Sequence, residues 1–250
     1  MKKKSKILVT FIQIVLIAVI IFSGIKIIEW IKSNKKNKDI MSEIKENVVI
    51  NNEMDSNNEE YKIDFAKLKQ KNSDAIAWIK VNGTDIDFPV VKGTDNSYYL
   101  THNFDKEKNK AGWIFADYRN KFDGTDKNII IYGHNMKNGS MFASLKDVIK
   151  EEWYNNENNK YIALITENEN CKYQVFSVYQ TETEEYYLQT NISNFKEFVE
   201  KIKGRSKKNF NVDIKETDSI LTLSTCADNT KYRVVLHLSL IHISEPTRPY

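Results

Sequence analysis

Hydrophobic residues are distributed unevenly along this chain: one long apolar run near the amino terminus is followed by short apolar runs separated by polar turns. The long run extends from Ile7 to Ile25, and only Thr10, Gln13, Ser23 and Gly24 interrupt it. At a helical rise of about 1.5 Å per residue, it nearly matches the roughly 30 Å hydrocarbon core of a bilayer. The run therefore predicts one transmembrane helix. A cleaved signal peptide is the alternative, but the run is longer than a usual signal-peptide core and no small-x-small cleavage site follows it.

The composition changes again after the apolar run and divides the rest of the chain. Residues 32–60 are rich in Asn, Lys, Glu and Ser, which predicts a polar linker or stalk that is partly helical. From Tyr61 onward apolar residues recur at regular spacings, so a folded domain begins there. The predicted organisation is a tail and anchor over residues 1–31, the linker over 32–60, one folded domain over 61–238 and an atypical tail over 239–250.

Short apolar runs bounded by turn residues predict eight strands within the folded domain. They are Ala77–Val81, Ile86–Val91, Gly112–Ala116, Asn128–Tyr132, Tyr161–Thr166, Tyr173–Gln180, Ser219–Ser224 and Tyr232–Leu238. Their even spacing favours a β-barrel or sandwich, so the fold class is mainly β with peripheral helices (α+β). Helical patterns at Met141–Lys150 and Asn194–Lys203 supply those helices, and Pro89 restricts its strand to an edge or a bulge.

The final twelve residues, Ser239 to Tyr250, contain two of the three prolines and follow a strand that could already close the sheet. Their sequence resembles translated sequencing-adapter read-through. We assign no function to this tail.

The formal charge of +3 conceals a marked asymmetry. Residues 1–40 contain nine lysines and two acids, so they carry +7 and the remaining residues carry −4. A duplex binder needs clustered basic residues on its folded domain, so nucleic acid is not expected as a partner. The lysines lie on both sides of the apolar run and barely define its orientation. Because only six residues precede the run and more than two hundred follow it, we expect a single-pass membrane protein with an extracellular domain.

Two cysteines, Cys171 and Cys226, are present in the chain. They could form a disulfide outside the cytoplasm, but Cys171 lies in an alternating strand pattern that is typical of a free cysteine in or near the core. The four histidines show no paired ligand spacing with either cysteine, and no acidic cluster suggests calcium, so no metal or cofactor is expected.

Three reactive side chains lie at predicted strand ends. Cys226 ends one strand, Arg233 lies near the start of the next, and His134 follows the buried run Asn128–Gly133. A thiol attacks carbonyls as thiolate, so it needs a base or a positive field beside it, and His134 can supply either. A guanidinium can donate to an oxyanion. Each residue alone is more often packing or a solvated charge, but their joint position at strand ends predicts a nucleophilic site.

The surrounding motifs resemble those of class B sortases, the cysteine transpeptidases of Gram-positive cell surfaces. The similar segments are Tyr132–Leu145, Ala111–Asn120 and Leu223–Cys226 together with Arg233, and the resemblance covers roughly Tyr61 to Leu238. It implies an eight-stranded sortase β-barrel that acts on a carboxy-terminal sorting signal of surface proteins. The implied partners are that sorting-signal peptide, the amine of a peptidoglycan cross-bridge or of its lipid-linked precursor, and the membrane.

The resemblance also implies roles for individual residues. Cys226 would form a thioacyl-enzyme, His134 would protonate the leaving amine and then activate the incoming one, and Arg233 would hold the substrate and the oxyanion. Six further residues resemble substrate-pocket positions, or share the face of the cysteine strand: Asn96, Leu100, Thr183, Tyr187, Leu188 and Ser224. For these a purely structural role, in the core or in a turn, is an equal alternative.

Two other functions stay open at this stage. A cysteine peptidase that mainly hydrolyses its substrate would use the same thioacyl intermediate, and a membrane-tethered binding module would leave Cys226 inert. A binding module has no need of the combined Cys, His and Arg. The sequence does not identify the sorting pentapeptide, the acceptor amine or the oligomeric state.

Overall fold

Eight strands close into a barrel in the computed structural model, which describes residues 2–50, 62–226 and 231–241. In chain order the helices are α1 (Lys2–Val48), α2 (Phe65–Lys71), α3 (Glu151–Tyr154) and α4 (Phe195–Arg205). The strands are β1 (Val49–Ile50), β2 (Lys62–Ile63), β3 (Ala75–Val81), β4 (Asp87–Val91), β5 (Phe115–Ala116), β6 (Asn128–Gly133), β7 (Tyr161–Thr166), β8 (Asn170–Glu182), β9 (Ile220–Cys226) and β10 (Tyr232–Leu240). Short 3-10 helices span Tyr98–Leu100, Ala143–Ile149, Glu157–Asn159 and Tyr186–Leu188.

The order of strands around the barrel is β10-β8-β7-β3-β4-β5-β6-β9, and β9 pairs with β10 to close it. Two neighbouring pairs are parallel, β4 with β5 and β6 with β9, and the others are antiparallel. The closed order confirms the predicted fold class, mainly β with peripheral helices. It also shows that the strands form a barrel and not a sandwich. The eight predicted strands correspond to β3–β10, and the 3-10 helix at Ala143–Ile149 takes the place of the helix expected over Met141–Lys150.

Strand β5 is shorter than predicted. Regular pairing begins at Phe115 rather than at the predicted Gly112. Gly112 has a φ of +58°, and a Cβ there would lie 2.4 Å from the carbonyl oxygen of Tyr99. The chain turns at this glycine because only glycine tolerates both the left-handed backbone and the close approach.

Helix α4 covers the outer face of the barrel beside β8. Asn194 caps it by accepting a hydrogen bond from the Glu197 amide, and its buried stripe consists of Phe198, Val199 and Ile202. These side chains pack against buried residues of the strands, among them Phe176, Tyr179 and Val235. Strand residues are therefore buried on both faces here, which explains why six consecutive residues of β10, 234–239, are buried.

Helix α1 is longer than the predicted membrane span. Within the described part of the chain, it is the one helix that is long and apolar enough to cross a membrane. Its second half includes the buried side chains of Ile40, Ile44 and Val48, which belong to the main core of the domain. The predicted linker over 32–60 thus falls on α1 as far as Val48, while residues 51–61 lie outside the described residues.

The predicted tail over 239–250 overlaps the last strand. Strand β10 continues to Leu240, and Ser239 is still paired with Ile220 of β9. Residues 242–250, which make up the rest of that predicted tail, lie outside the described residues.

A chain of buried polar groups crosses four neighbouring strands. The Thr222 hydroxyl donates to Asn128 Oδ1 at 2.7 Å, so its oxygen accepts from Nδ1–H of His237 at 2.9 Å. The Tyr179 hydroxyl then donates to Nε2 of His237 at 2.9 Å. Both ring nitrogens are satisfied in the neutral form, and complete burial lowers the pKa of His237 from 6.5 to about 3. The barrel therefore contains a histidine that must remain uncharged.

We predict that this histidine makes the fold sensitive to mild acid. The pKa of His237 is lower in the folded than in the unfolded chain. Its contribution to the free energy of unfolding is therefore complete above pH 6.5 and is lost as the pH falls toward 3. The free energy of unfolding should fall by about 2 kcal/mol between about pH 7.5 and pH 5. Chemical denaturation across this range measures it. His237→Gln should lose most of this pH dependence, whatever its absolute stability, while the matched control His102→Gln should keep it; an unchanged slope in His237→Gln would contradict the prediction.

Candidate active site

Three strand ends meet at one edge of the barrel. Strands β6 and β9 are parallel, with Gly133 opposite Thr225, so they end at the same edge. His134 directly follows Gly133, which brings it level with Cys226 at the end of β9. On the other side of β9, Arg233 of β10 is the Cα partner of Cys226. The backbone pairing thus brings the three predicted reactive residues together, although 92 residues separate His134 from Cys226 along the chain.

His134 is half-buried and is held by a backbone carbonyl. Its Nε2 lies 2.9 Å from the carbonyl oxygen of Leu100. Because a carbonyl only accepts, Nε2 carries the proton and Nδ1 is the nitrogen that remains for proton exchange. The preceding Gly133 allows this close packing, since a Cβ there would lie 2.6 Å from Ile114 and from Phe142.

Arg233 is held by the loop that joins β8 to the next helix. Its Nε donates to Thr183 Oγ1 at 3.1 Å, and the Thr183 amide donates to the carbonyl of Lys231 at 3.2 Å. Nearby, the hydroxyl of Thr181 donates to Glu184, which also forms an ion pair with Arg205. The first contact orients the guanidinium of Arg233, and the others fix the loop that carries Thr183.

A pocket of about 260 Å³ lies at this edge of the barrel. Its lining includes His134, Arg233 and all six residues that the sequence suggested for substrate contact, namely Asn96, Leu100, Thr183, Tyr187, Leu188 and Ser224. Ser224 is buried and lies 3.4 Å from the Tyr187 hydroxyl, while the side chain of Leu100 remains exposed beside His134. The structure therefore brings the predicted positions into one cavity.

Phe115, Tyr132 and Gly133 also line the pocket, and the sequence analysis gave them no site role. For Tyr132 a signal existed, because it lies two residues before His134 on a strand whose side chains alternate between faces. Phe115 gave no comparable signal. It reaches the pocket because β5 pairs with β6, with Phe115 opposite Tyr132.

A buried carboxylate organises one wall of the pocket. Asp117 accepts two hydrogen bonds from the Arg119 guanidinium, at 2.8 and 2.7 Å, and one each from Asn96 and the Tyr132 hydroxyl, both at 2.9 Å. Arg119 in turn donates to the carbonyl of Leu188 at 2.9 Å. Burial opposes ionisation of Asp117, but these donors outweigh it and hold its pKa below the ordinary value. Asp117 thus holds the pocket residues Asn96 and Tyr132 directly, and it holds Leu188 through Arg119.

Cys171 lies far from this edge. Two residues after it, Tyr173 of β8 pairs with Leu240 at the end of β10. Cys226 of β9 pairs instead with Arg233 near the start of β10. Seven residues of β10 separate these two pairs, which corresponds to about 23 Å at strand spacing, and a disulfide needs Cα atoms within about 7 Å. A disulfide between Cys171 and Cys226, which the sequence left possible, is therefore excluded. Burial raises the pKa of the Cys171 thiol to about 12, so it is a poor nucleophile.

No group of three or more metal-ligating side chains occurs within residues 2–50, 62–226 and 231–241. The side chains at the described edge include the imidazole of His134 and the guanidinium of Arg233. The arrangement suits chemistry in which charge develops on an acyl oxygen and a proton moves at the histidine.

Comparison with known proteins gives consistent matches. A family model described as the sortase domain matches residues 79–241. Sortase B of Listeria monocytogenes is 36% identical over 237 residues, covering 92% of this chain and 95% of that protein. The crystal structure of sortase B from Bacillus anthracis in complex with AAEK1 superposes with a TM-score of 0.72 at 34% identity, over 84% of this chain and 99% of that one. A crystal structure of sortase B complexed with triglycine superposes with a TM-score of 0.67 at 35% identity, over 72% and 86%.

We predict that Asp117→Asn destabilises the domain and loosens the pocket wall, because it removes the charge that pairs with Arg119. The free energy of unfolding should fall by about 2 kcal/mol. Amide hydrogens of residues 186–189 should exchange faster as the Arg119 contact with Leu188 weakens. Denaturant titration and hydrogen exchange measure the two effects. The control is Asp123→Asn at an exposed carboxylate; equal behaviour of the two variants would show that Asp117 does not organise the wall.

Proposed function

Because the chain belongs to the sortase family, in its class B, and is a cysteine transpeptidase, we propose that Cys226, His134 and Arg233 perform its acyl transfer. The observation that supports this most directly is the backbone pairing around β9. It brings His134 level with Cys226 and makes Arg233 the Cα partner of Cys226. A nucleophile, a proton carrier and a cation thereby share one edge.

In the first step the Cys226 thiolate attacks the scissile carbonyl carbon of a carboxy-terminal sorting signal. A C–S bond forms, and the oxygen of the tetrahedral intermediate carries the negative charge. The C–N bond then breaks, and His134 gives a proton to the leaving amine. The products are a thioacyl-enzyme and the released carboxy-terminal peptide.

In the second step an amine attacks the thioester. The neutral His134 accepts the proton of that amine, the new C–N bond forms, and Cys226 leaves as thiolate. The acceptor proposed is the free amine of a peptidoglycan cross-bridge or of its lipid-linked precursor. The similar sortase B structure complexed with triglycine supports an amine of this kind.

Arg233 is proposed to stabilise the oxyanion and to hold the substrate backbone. Its guanidinium lines the pocket, and the hydrogen bond to Thr183 described above uses its Nε. The planar group carries further N–H donors that can reach an acyl oxygen. A guanidinium stays protonated in proteins and is a poor base at neutral pH, so proton transfer is assigned to His134.

The pocket beside these residues is proposed to receive the sorting-signal residues that precede the scissile bond. Leu100 and Leu188 offer apolar contacts, whereas Asn96, Thr183, Tyr187 and Ser224 offer polar atoms. A volume of about 260 Å³ accommodates a few side chains of an extended peptide rather than a folded domain.

The site is proposed to lie outside the cell, at the surface of the membrane that α1 crosses. The apolar segment of α1 is exposed throughout, with hydrophobic residues from Ile7 to Ile31 facing outward. None of the described residues of the barrel covers it, which fits a lipid environment. The short segment before it would remain in the cytoplasm, and the barrel that follows would be extracellular.

The proposal is tested by acyl-acceptor competition with the full chain in detergent. A sorting-type peptide should give a new amide product with a glycine oligomer or with diaminopimelate, detected by mass spectrometry. Cys226→Ala should lower the rate by at least about 10³-fold, because no thioester can form. The matched control Cys171→Ala should retain activity. If every acceptor yields only the hydrolysed acid, the hydrolytic alternative replaces transfer.

We predict that Arg233→Lys lowers kcat/KM by about 10²-fold, since an ammonium cannot reproduce the planar donor pair at an oxyanion. Thr183→Val should lower it less, by about threefold, because it removes the hydrogen bond to Nε but leaves the charge. Steady-state kinetics on the sorting-type peptide compare them. Equal losses in the two variants would mean that Arg233 acts through its contact with Thr183 and not on the substrate.

A further inference from the structure

We propose that one face of the domain binds the anionic lipid headgroups of the membrane in which α1 is anchored. The face, called here the basic face, consists of residues 29–38 of α1 and residues 101–110 of the barrel domain. The proposal rests on the membrane anchor of the preceding section and goes beyond it, because it assigns a binding surface to the folded domain.

Only a short distance separates the apolar segment of α1 from the folded domain. Trp30 and Ile31 are the last exposed apolar residues of the segment, and Asn37, one of the first α1 residues to be buried, follows six positions later. Six residues of helix correspond to about 9 Å. Because α1 continues without interruption to Val48, the domain begins almost at the end of the apolar segment.

Buried hydrogen bonds hold α1 against the domain. Asn37 donates to the carbonyl of Gly112 at 3.1 Å, and its Oδ1 accepts from Asn109 at 2.7 Å. The same Asn109 amide donates to the carbonyl of Ser33 at 2.9 Å. Asn37 and Asn109 are both buried, so these bonds form where water does not compete. The domain is therefore held at one position along the helix.

The basic face carries more positive than negative charge. A groove of about 690 Å³ separates the two segments, and its lining contains four lysines, Lys32, Lys36, Lys108 and Lys110, but only two acids, Glu29 and Glu107. Lys36 and Glu107 form an ion pair at 3.4 Å. With this pair set aside, the lining keeps three lysines and one acid, a net charge of +2. Phosphate headgroups are the complementary ligands, because juxtamembrane lysines attract anionic lipids.

The basic face is continuous with the active site. Residues 101–110 directly follow Leu100, whose carbonyl oxygen accepts the hydrogen bond from His134 Nε2. Gly112, the residue bonded to Asn37, packs on the same turn, because a Cβ there would lie 2.9 Å from the carbonyl oxygen of Leu100. Binding of lipid at this face holds the pocket close to the bilayer, where a membrane-held substrate arrives.

The test uses the full chain in nanodiscs of phosphatidylcholine with or without phosphatidylglycerol. Hydrogen exchange of residues 101–111 should slow by about fivefold for each lysine engaged when phosphatidylglycerol is present. Lys108→Gln with Lys110→Gln should lose this protection, and Lys32→Gln with Lys36→Gln should weaken it from the α1 side. The control pair, Lys196→Gln with Lys207→Gln, alters one exposed lysine in α4 and one just after it, and should keep the protection.

Identical exchange in the two kinds of nanodisc would overturn the proposal. Protection by inorganic phosphate alone, in phosphatidylcholine nanodiscs, would also overturn it, because the site would then bind a free anion rather than a lipid. Turnover of a soluble sorting-type peptide is measured on the same preparations. It reports on the proposed acyl transfer separately, since a soluble substrate does not depend on the bilayer.

Discussion

Strand β9 is the element on which the active site depends. It lies between β6, to which it is parallel, and β10, to which it is antiparallel, and these two pairings close the barrel. The Thr225 hydroxyl donates to the carbonyl of Gly133 at 2.6 Å and fastens β9 to β6 immediately before their ends. Because register in a sheet is discrete, a slip of one residue would exchange the two faces of β9 and take Cys226 out of register with both partners.

Buried polar groups give this edge its rigidity. Asp117 joins Asn96, Tyr132 and Arg119 on one side of the pocket. Behind the site, His237 connects β8, β9 and β10, and the edge of the Tyr187 ring packs against its imidazole. Each group is costly to bury alone and stable only when all its partners are in place. The pocket is therefore held by networks that form together with the barrel, which suits a site that must orient an extended peptide.

Helix α1 is also fixed to the barrel domain by buried contacts. Ile40, Ile44 and Val48 pack into the main core, and Lys45 and Lys71 form ion pairs with Asp87 and Glu43 at 2.7 Å. The exposed ion pairs add little stability, so apolar burial and the Asn37 contacts hold the helix. With α1 in the membrane, as proposed above, the candidate catalytic edge would have little freedom in how it meets a substrate.

The amino-acid sequence determined the eight barrel strands, the apolar helix and the candidate reactive residues. Period-two alternation, turn residues and apolar length are local properties, and Tyr161–Thr166 was predicted with its observed bounds. The motifs around His134 and Cys226 identified the family. Tertiary structure alone decided the order in which the strands pair around the barrel, that α1 continues into the domain, and that Asp117 and its partner Arg119 contact three pocket residues. These depend on contacts between residues far apart in the chain, which no local pattern specifies, because the free energy of such contacts exists only once the strands have paired.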